Sequence, residues 1–498
     1  MSQESDIQRS SFTTILIMIC TLVSRSLGFV RLIVVTTFFS QEKADIINLA
    51  FSIPNNLRKL LAEGALSSAF IPVLSANLVD TPDGSNARKL VSSIVNLQIL
   101  VILPLCLLAI IFSEFLISEV LSEFNDPEQI AATANLFRWV IGYLLLISIS
   151  AVLMGVLNTH HRFIVPAITP ILFSVAVILC ILTLRGKLDI YVMAVGVLAG
   201  GTLQILFQYP QFHRLGYRFR FNFDFKNPEF RKVIRRWLPI LATSSVFAIT
   251  QQVAIRFASG LGDGSVTAVS IALVFFQLPF GIFSAAITTV MFPRMSRQAA
   301  RNDSHGLKES LQYGLRYIFV LLVPSAVFLC LNSRQLIGTG FLQGEFKLHN
   351  VLMAAPVLVY YSIGLFSVGS FTYMQRFFYS RNEYKTTFFV TLALAAADIG
   401  LSLWLKETEL RTGGIALANT ISFSLAAFCL LIIARKRLGS IEGRKIGMTI
   451  IKVCISMAPA AVLVILFNRI IGPWWENGRT LVNFVLIFCS AGLFSGAV

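Results

Sequence analysis

The run TLVSRSLGFVRLIVV places Arg25 and Arg31 inside an otherwise apolar stretch, and IPNNLRKLLAEGALSSAF carries Arg58, Lys59 and Glu63 on successive turns. Asp45, Asn48, Ser52, Asn55, Lys59 and then Ala62 or Glu63 recur at steps of three and four, so they share one face of a helix. Arg58 lies one residue off that stripe, and Pro54 removes a backbone hydrogen bond within it. In the preceding helix Ser24, Gly28 and Arg31 share a face, with Arg25 about a quarter turn from Ser24. An ionised side chain at the centre of a bilayer costs about 2.5–3.5 kcal/mol, so these faces must meet water or a partner rather than lipid. Arg25, Arg31, Arg58 and Lys59 outnumber Asp45 and Glu63, and pairing among them leaves net positive charge. Guanidinium forks grip phosphate oxygens in pairs and a lysine adds a point charge, so the chemistry suits a phosphate or diphosphate. Ser24 and Asn55 are polar companions for such a ligand, and Asp45 and Glu63 are candidates for gating or charge pairing. Lys59 fits equally well as a side chain snorkelling to the cytoplasmic interface; Arg25 and Arg31 lie too far along their helix for that.

These residues need long apolar helices to hold them. The 498 residues are 56% apolar and only 13% charged. The expected fold is an all-α polytopic membrane protein with about fourteen spans, from roughly 12–39 through 479–498. The first run lacks a basic leader and a small-residue cleavage pattern, and is expected to be a retained helix. With the N-terminus inside, the basic loop RLGYRFRFNFDFKNPEFRKVIRR faces the cytoplasm and the acidic SEFNDPEQ faces out, so both termini are expected to be cytoplasmic. This bias accounts for the formal charge of +16 through anionic headgroups, without nucleic acid. The seven cysteines are scattered singly in apolar runs and the histidines show no metal-ligand spacing, so neither a disulfide framework nor a metal centre is expected.

An internal repeat is also legible. AFIPVLS and VMFPRMS, Pro104 and Pro324, and the turns at Asn158 and Phe378 each recur at an offset of about 220 residues. An even number of spans between copies gives two halves of the same orientation, a parallel repeat. The expected organisation is a lobe of helices 1–6 over residues 1–220, a lobe of helices 7–12 over 221–440, and two additional helices over 441–498.

VSRSLGFVR, IPNNLRKLLAEGALSSAFIPVLS, GVLNTHHRFIVPAITP, LPFGIFSAAITTVMFPRMSR and RFFYSRNEYKT, in this order along nearly the whole chain, resemble the MurJ (MviN) family of bacterial lipid II flippases. The family is similar to multidrug and oligosaccharide-lipid exporters, with two six-helix lobes forming a V and two further helices making a groove for a lipid tail. The resemblance implies passage of undecaprenyl-diphosphate-linked disaccharide-pentapeptide from the inner to the outer leaflet for peptidoglycan synthesis, in the bacterial inner membrane. It carries the family's cavity residues onto Arg25, Arg31, Asp45, Arg58 and Glu63. The chain departs from the family pattern at Leu32, at Leu273 and Val274 where an acid–arginine pair is usual, and at Gln277. Arg256 is the candidate to replace the missing cation.

The function expected is therefore lipid II transport by alternating access, without catalysis. A monomer is expected, with lipid II and membrane lipids as partners and the cell-wall synthesis machinery as a candidate one. An exporter of another polyprenyl-diphosphate-linked glycan, or of drugs, would share the architecture, although four cavity cations suit a diphosphate better than a cationic drug. An intramembrane transferase would need an acid, base or nucleophile with a partner near an outer loop, and none is placed there. Asp398, a lone acid in TTFFVTLALAAADIGLSLWL, is the candidate for coupling to Na+ or H+, with membrane potential as the other candidate drive; the competing reading is a structural acid bonded to Ser or Asn on a neighbour.

Overall fold

The computed structural model describes residues 2–61, 65–80, 84–220, 224, 227–439, 443–475 and 480–497. Every regular element among those residues is a helix. In chain order the helices are α1 Ser2–Phe38, α2 Gln41–Leu61, α3 Ala65–Asp80, α4 Ser85–Ile111, the single turn α5 Ser113–Phe115, α6 Pro127–Val140, α7 Tyr143–Thr159, α8 Ile164–Leu188, α9 Val192–Arg214 and α10 Pro228–Ser259. They continue as α11 Ser265–Pro279, α12 Ala285–Ala300, α13 Ser304–Leu331, α14 Ser333–Phe341, α15 Leu348–Ile363, α16 Leu365–Ser380, α17 Tyr384–Leu405, α18 Thr412–Leu438, α19 Gly443–Trp475 and α20 Thr480–Ala497. Among the described residues, nine helical stretches are long and apolar enough to cross a membrane, or ten when the bent pair α15 and α16, at 43°, is taken as one span. Their exteriors are apolar as lipid requires, with Leu105, Leu107, Leu108 and Ile111 exposed along α4.

Local chemistry sets the ends. Asp126 caps α6, its carboxylate accepting from the Glu128 N–H at 3.0 Å, and Pro127 occupies the first turn, where no N–H is missed. Asp303 caps α13 in the same way through the Gly306 N–H at 2.8 Å. Tight turns recur where the sequence repeats. His161 and Asn382 both take positive φ (58° and 59°), and so do Asp189 and Arg411 (φ 48° and 47°), each pair about 220 residues apart.

The chain divides into two compact units, Met1–Gln252 and Val253–Val498, the division falling within α10. In the first unit α8 and α9 form a close pair, α1 runs along α8, and α7 packs on α9. The core here joins Phe70, Val73 and Leu74 of α3 to Leu90 and Ile94 of α4, Val152 and Val156 of α7 and Phe212 of α9. In the second unit α17 lies against α18, α15 and α16 pack on the same helix, and α13 carries α19. The turn between α16 and α17 is clamped to the end of α18 by Glu383, which accepts from Arg381 Nε at 2.8 Å and faces Arg437 at 3.2 Å.

Candidate functional site

Arg31 reaches from α1 to a cage of rings. Its guanidinium carbon lies 4.7 Å from the centroid of Phe51 on α2 and 5.6 Å from that of Phe173 on α8. The two rings are stacked at 6.2 Å, and Tyr143 at the start of α7 adds a third ring 4.9 Å from Phe173. All three are buried. The cage depends on a close approach of α9 behind it: a Cβ on Gly200 would lie 3.1 Å from the Phe173 carbonyl oxygen, so a larger residue would push α8 and its ring away. No carboxylate pairs with Arg31 among the described residues, and the charge of Arg58 acts on it electrostatically. Aromatic faces attract the guanidinium without cancelling its charge, so it remains able to bind an anion.

The polar face of α2 divides between two tasks. Asp45 is fully buried and Ser52 nearly so, while Asn48 and Asn55 are half-buried. Asn55 Oδ1 accepts from Arg58 Nε at 3.3 Å and from its Nη2 at 3.2 Å, which orients the guanidinium. Ser52 Oγ donates to the Leu49 carbonyl at 2.8 Å and lies 3.2 Å from Gln252 Oε1 on α10, which also accepts from Asn56 Nδ2 at 3.1 Å. At the entrance to α2, Lys43 Nζ meets Asp189 at 2.7 Å, and Arg185 stands over the Phe38 ring at 3.5 Å. Ser24 is half-buried and Arg25 exposed on α1, outside the ring cage. The side chain of Lys59 and the whole of Glu63 lie outside the described residues.

Sequence reasoning missed Phe51, Phe173, Tyr143 and Gln252. The aromatic residues carry no helical period that separates them from ordinary core. The available signal for Gln252 was the pair Gln251–Gln252 within an apolar run.

In the second unit Asp398 is buried on α17, and its Oδ2 accepts from Asn419 Nδ2 of α18 at 3.3 Å. Its Oδ1 is buried and has no hydrogen-bond partner among the described residues. Tyr361 lies within electrostatic reach. Arg256 is half-buried on α10, where its carbonyl accepts from Ser259 Oγ at 2.6 Å. Leu273 and Val274 are half-buried on α11 and Gln277 is exposed, so that stretch supplies no charge. Among the described residues no group of three His, Cys, Asp or Glu could hold a metal ion.

Residues 34–486 match the family model described as lipid II flippase MurJ. The chain is 30% identical over 484 residues to the probable lipid II flippase MurJ of Borreliella burgdorferi, covering 97% of this chain and 94% of that one. It is 29% identical over 427 residues to the lipid II flippase MurJ of Burkholderia cenocepacia, covering 84% and 82%. Among solved structures it is similar to a lipid II flippase MurJ in an inward closed conformation, with a TM-score of 0.77 at 23% identity, covering 97% of this chain and 98% of that one. An inward-facing multidrug resistance MATE transporter shares the fold with a TM-score of 0.70 at 14% identity over 86% of this chain and 99% of that one. These relatives are transporters rather than enzymes, and the chain is a multi-pass membrane protein that belongs to the MurJ lipid II flippase family.

Proposed function

We propose that this chain moves lipid II from the cytoplasmic to the outer leaflet of the bacterial inner membrane, by alternating access. The observation that carries the proposal is the caged guanidinium of Arg31, held by Phe51 and Phe173 with no carboxylate paired to it among the described residues, in a member of this family. A guanidinium kept inside an apolar helix without an acid is costly to retain unless an anion uses it. Arg31 and Arg58 bind the diphosphate in the proposed cycle, with Arg25 and Lys59 extending the positive lining and Ser24 and Asn55 adding hydrogen bonds. Asp45 and Glu63 compete with the diphosphate for these cations and so bias one state over the other, which requires contacts that differ between the states. Arg256 of α10 is the proposed replacement for the cation missing at Val274.

Fourteen crossings serve this cycle. The apolar stretch Ile164–Arg214 has 51 residues, about 76 Å if straight, which is more than twice a bilayer core. Its turn at Asp189 supports two crossings there. The paired turns at His161 and Asn382, and at Asp189 and Arg411, favour a parallel repeat with lobes over 1–220 and 221–440; in the proposed cycle residues 441–498 form a groove for the lipid tail. Both termini are then cytoplasmic. The orphaned Oδ1 of buried Asp398 favours coupling to Na+ or H+ at this acid, with Asn419 as a neighbouring polar group. The test is depletion of the protein in cells with a leaflet-specific accessibility assay. Accumulation of unmodified lipid II on the cytoplasmic side supports transport; normal exposure of lipid II outside, or accumulation of a chemically different lipid, overturns it.

A further inference from the structure

Where α13 ends, Asn332 ties three helices together. It is fully buried, and its Oδ1 accepts from Asn468 Nδ2 of α19 at 3.2 Å and from Ser490 Oγ of α20 at 3.0 Å. Asn468 Nδ2 also donates to the Leu331 carbonyl at 3.1 Å. This knot backs an open cleft of about 330 Å³, lined among others by Ser333, Arg334, Gln335, Ile465, Asn468 and Arg469. Arg334 and Arg469 are exposed, and neither has an ion pair or hydrogen bond among the described residues. Asn468 Oδ1 is a buried acceptor with no partner among them. The first turn of α14 begins at Ser333 with no side chain capping it, so its N–H groups add positive potential. Beside the cleft, α19 exposes Val462, Leu463, Ile465, Leu466 and Ile470.

We propose that this cleft binds the phosphodiester headgroup of an anionic phospholipid with a small hydroxylated headgroup, of the phosphatidylglycerol type. The guanidiniums of Arg334 and Arg469, which have no acid partner among the described residues, meet the phosphate oxygens, where charge-assisted bonds are strongest. Asn468 Oδ1 accepts from a headgroup hydroxyl, which satisfies an otherwise costly buried oxygen. The apolar face of α19 takes the acyl chains, which selects a lipid over free phosphate. The volume suits a phosphate and a glycerol unit rather than a disaccharide-pentapeptide. The site lies within the second unit, and its polar end rests on Asn332, Arg334, Asn468 and Arg469, none of which the transport reading uses. With both termini cytoplasmic it opens to the outer leaflet, although binding itself does not depend on that orientation.

The full chain, purified in detergent and stripped of lipid, is titrated with phosphatidylglycerol and with diacylglycerol of the same chains, and bound lipid is counted by native mass spectrometry. Affinity for phosphatidylglycerol falls roughly tenfold for each guanidinium removed in Arg334→Gln and Arg469→Gln. Arg334→Lys with Arg469→Lys retains part of it, and diacylglycerol binds far more weakly to the unaltered protein. Arg231→Gln with Arg235→Gln, two exposed arginines of α10, serves as the control and changes affinity by less than about twofold. Equal affinity in the Gln variants, equal loss in the control, or equal binding of diacylglycerol overturns the proposal. Displacement of phosphatidylglycerol by equimolar lipid II overturns the choice of a phospholipid. Thermal melts of each variant establish folding, and the single Arg469→Gln variant carries the comparison if the Arg334 variant fails to fold.

Discussion

Replacing Arg31 by Met separates a residue kept for stability from one kept for an anion. The guanidinium interacts with Phe51 at 4.7 Å and Phe173 at 5.6 Å, and both rings are buried. Such contacts contribute about 0.5–1 kcal/mol when exposed and about 2 kcal/mol when desolvated, so the nearer, half-buried contact is assigned about 1 kcal/mol and the farther one less. Against this stands the like charge of Arg58, which the substitution relieves. Met fills much of the same volume and packs well against rings through its sulfur. The net stability change in Arg31→Met is therefore within about 1 kcal/mol of zero, while lipid II transport is lost. Unfolding in increasing SDS, run on the unaltered protein, Arg31→Met, Phe51→Leu and the double variant, yields the coupling between ring and cation. The expected coupling is about 1 kcal/mol. Additive effects within about 0.3 kcal/mol would refute the ring cage, and full transport by a stable Arg31→Met protein would refute the site.

Three further outcomes follow from the packing. His160 Nε2 lies 3.0 Å from the Tyr217 hydroxyl, and burial, followed by the charges of His161 and Arg162, holds its pKa below the ordinary histidine value. Its stabilising contribution is complete above that ordinary value, about 6.5, and is lost as pH falls through the lower folded value, so melting temperature drops on acidification less steeply in His160→Gln than in the unaltered protein. A Cβ at Gly314 would overlap the Tyr373 ring, whose hydroxyl donates to the Ser310 carbonyl at 2.6 Å, so Gly314→Ala destabilises by about 1–3 kcal/mol in the same SDS assay. Glu383→Gln weakens the clamp of Arg381 and Arg437 on the α16–α17 turn and lowers stability by about 1–2 kcal/mol, an effect that high salt reduces, as melts at two ionic strengths reveal.

Helical periodicity exposes what a single helix does to its own residues. The apolar runs, the proline positions and the stripe from Asp45 to Asn55 all follow from local spacing, and Asp45 and Ser52 of that stripe are buried. What surrounds Arg31 depends on pairing between helices distant in sequence. Phe173 reaches Arg31 only because Gly200 lets α9 approach α8, and no local pattern encodes that contact. Gln252 likewise becomes a polar partner of Ser52 and Asn56 only when its side chain on α10 comes within hydrogen-bond reach of α2. Asn419 beside Asp398 is a milder case, since an acid buried in one helix demands a donor somewhere, but spacing alone does not select which neighbour supplies it.

In the proposed cycle, guanidinium charge at Arg31 and Arg58 carries a lipid diphosphate across the membrane. The most direct measurement is the fraction of lipid II accessible on the outer face of cells whose only copy is Arg31→Ala, Arg58→Ala or the corresponding Lys variant, at matched protein levels. In that cycle the Ala variants trap lipid II on the cytoplasmic side and the Lys variants retain partial transport. Outer-leaflet lipid II at the unaltered level in both Ala variants would contradict it.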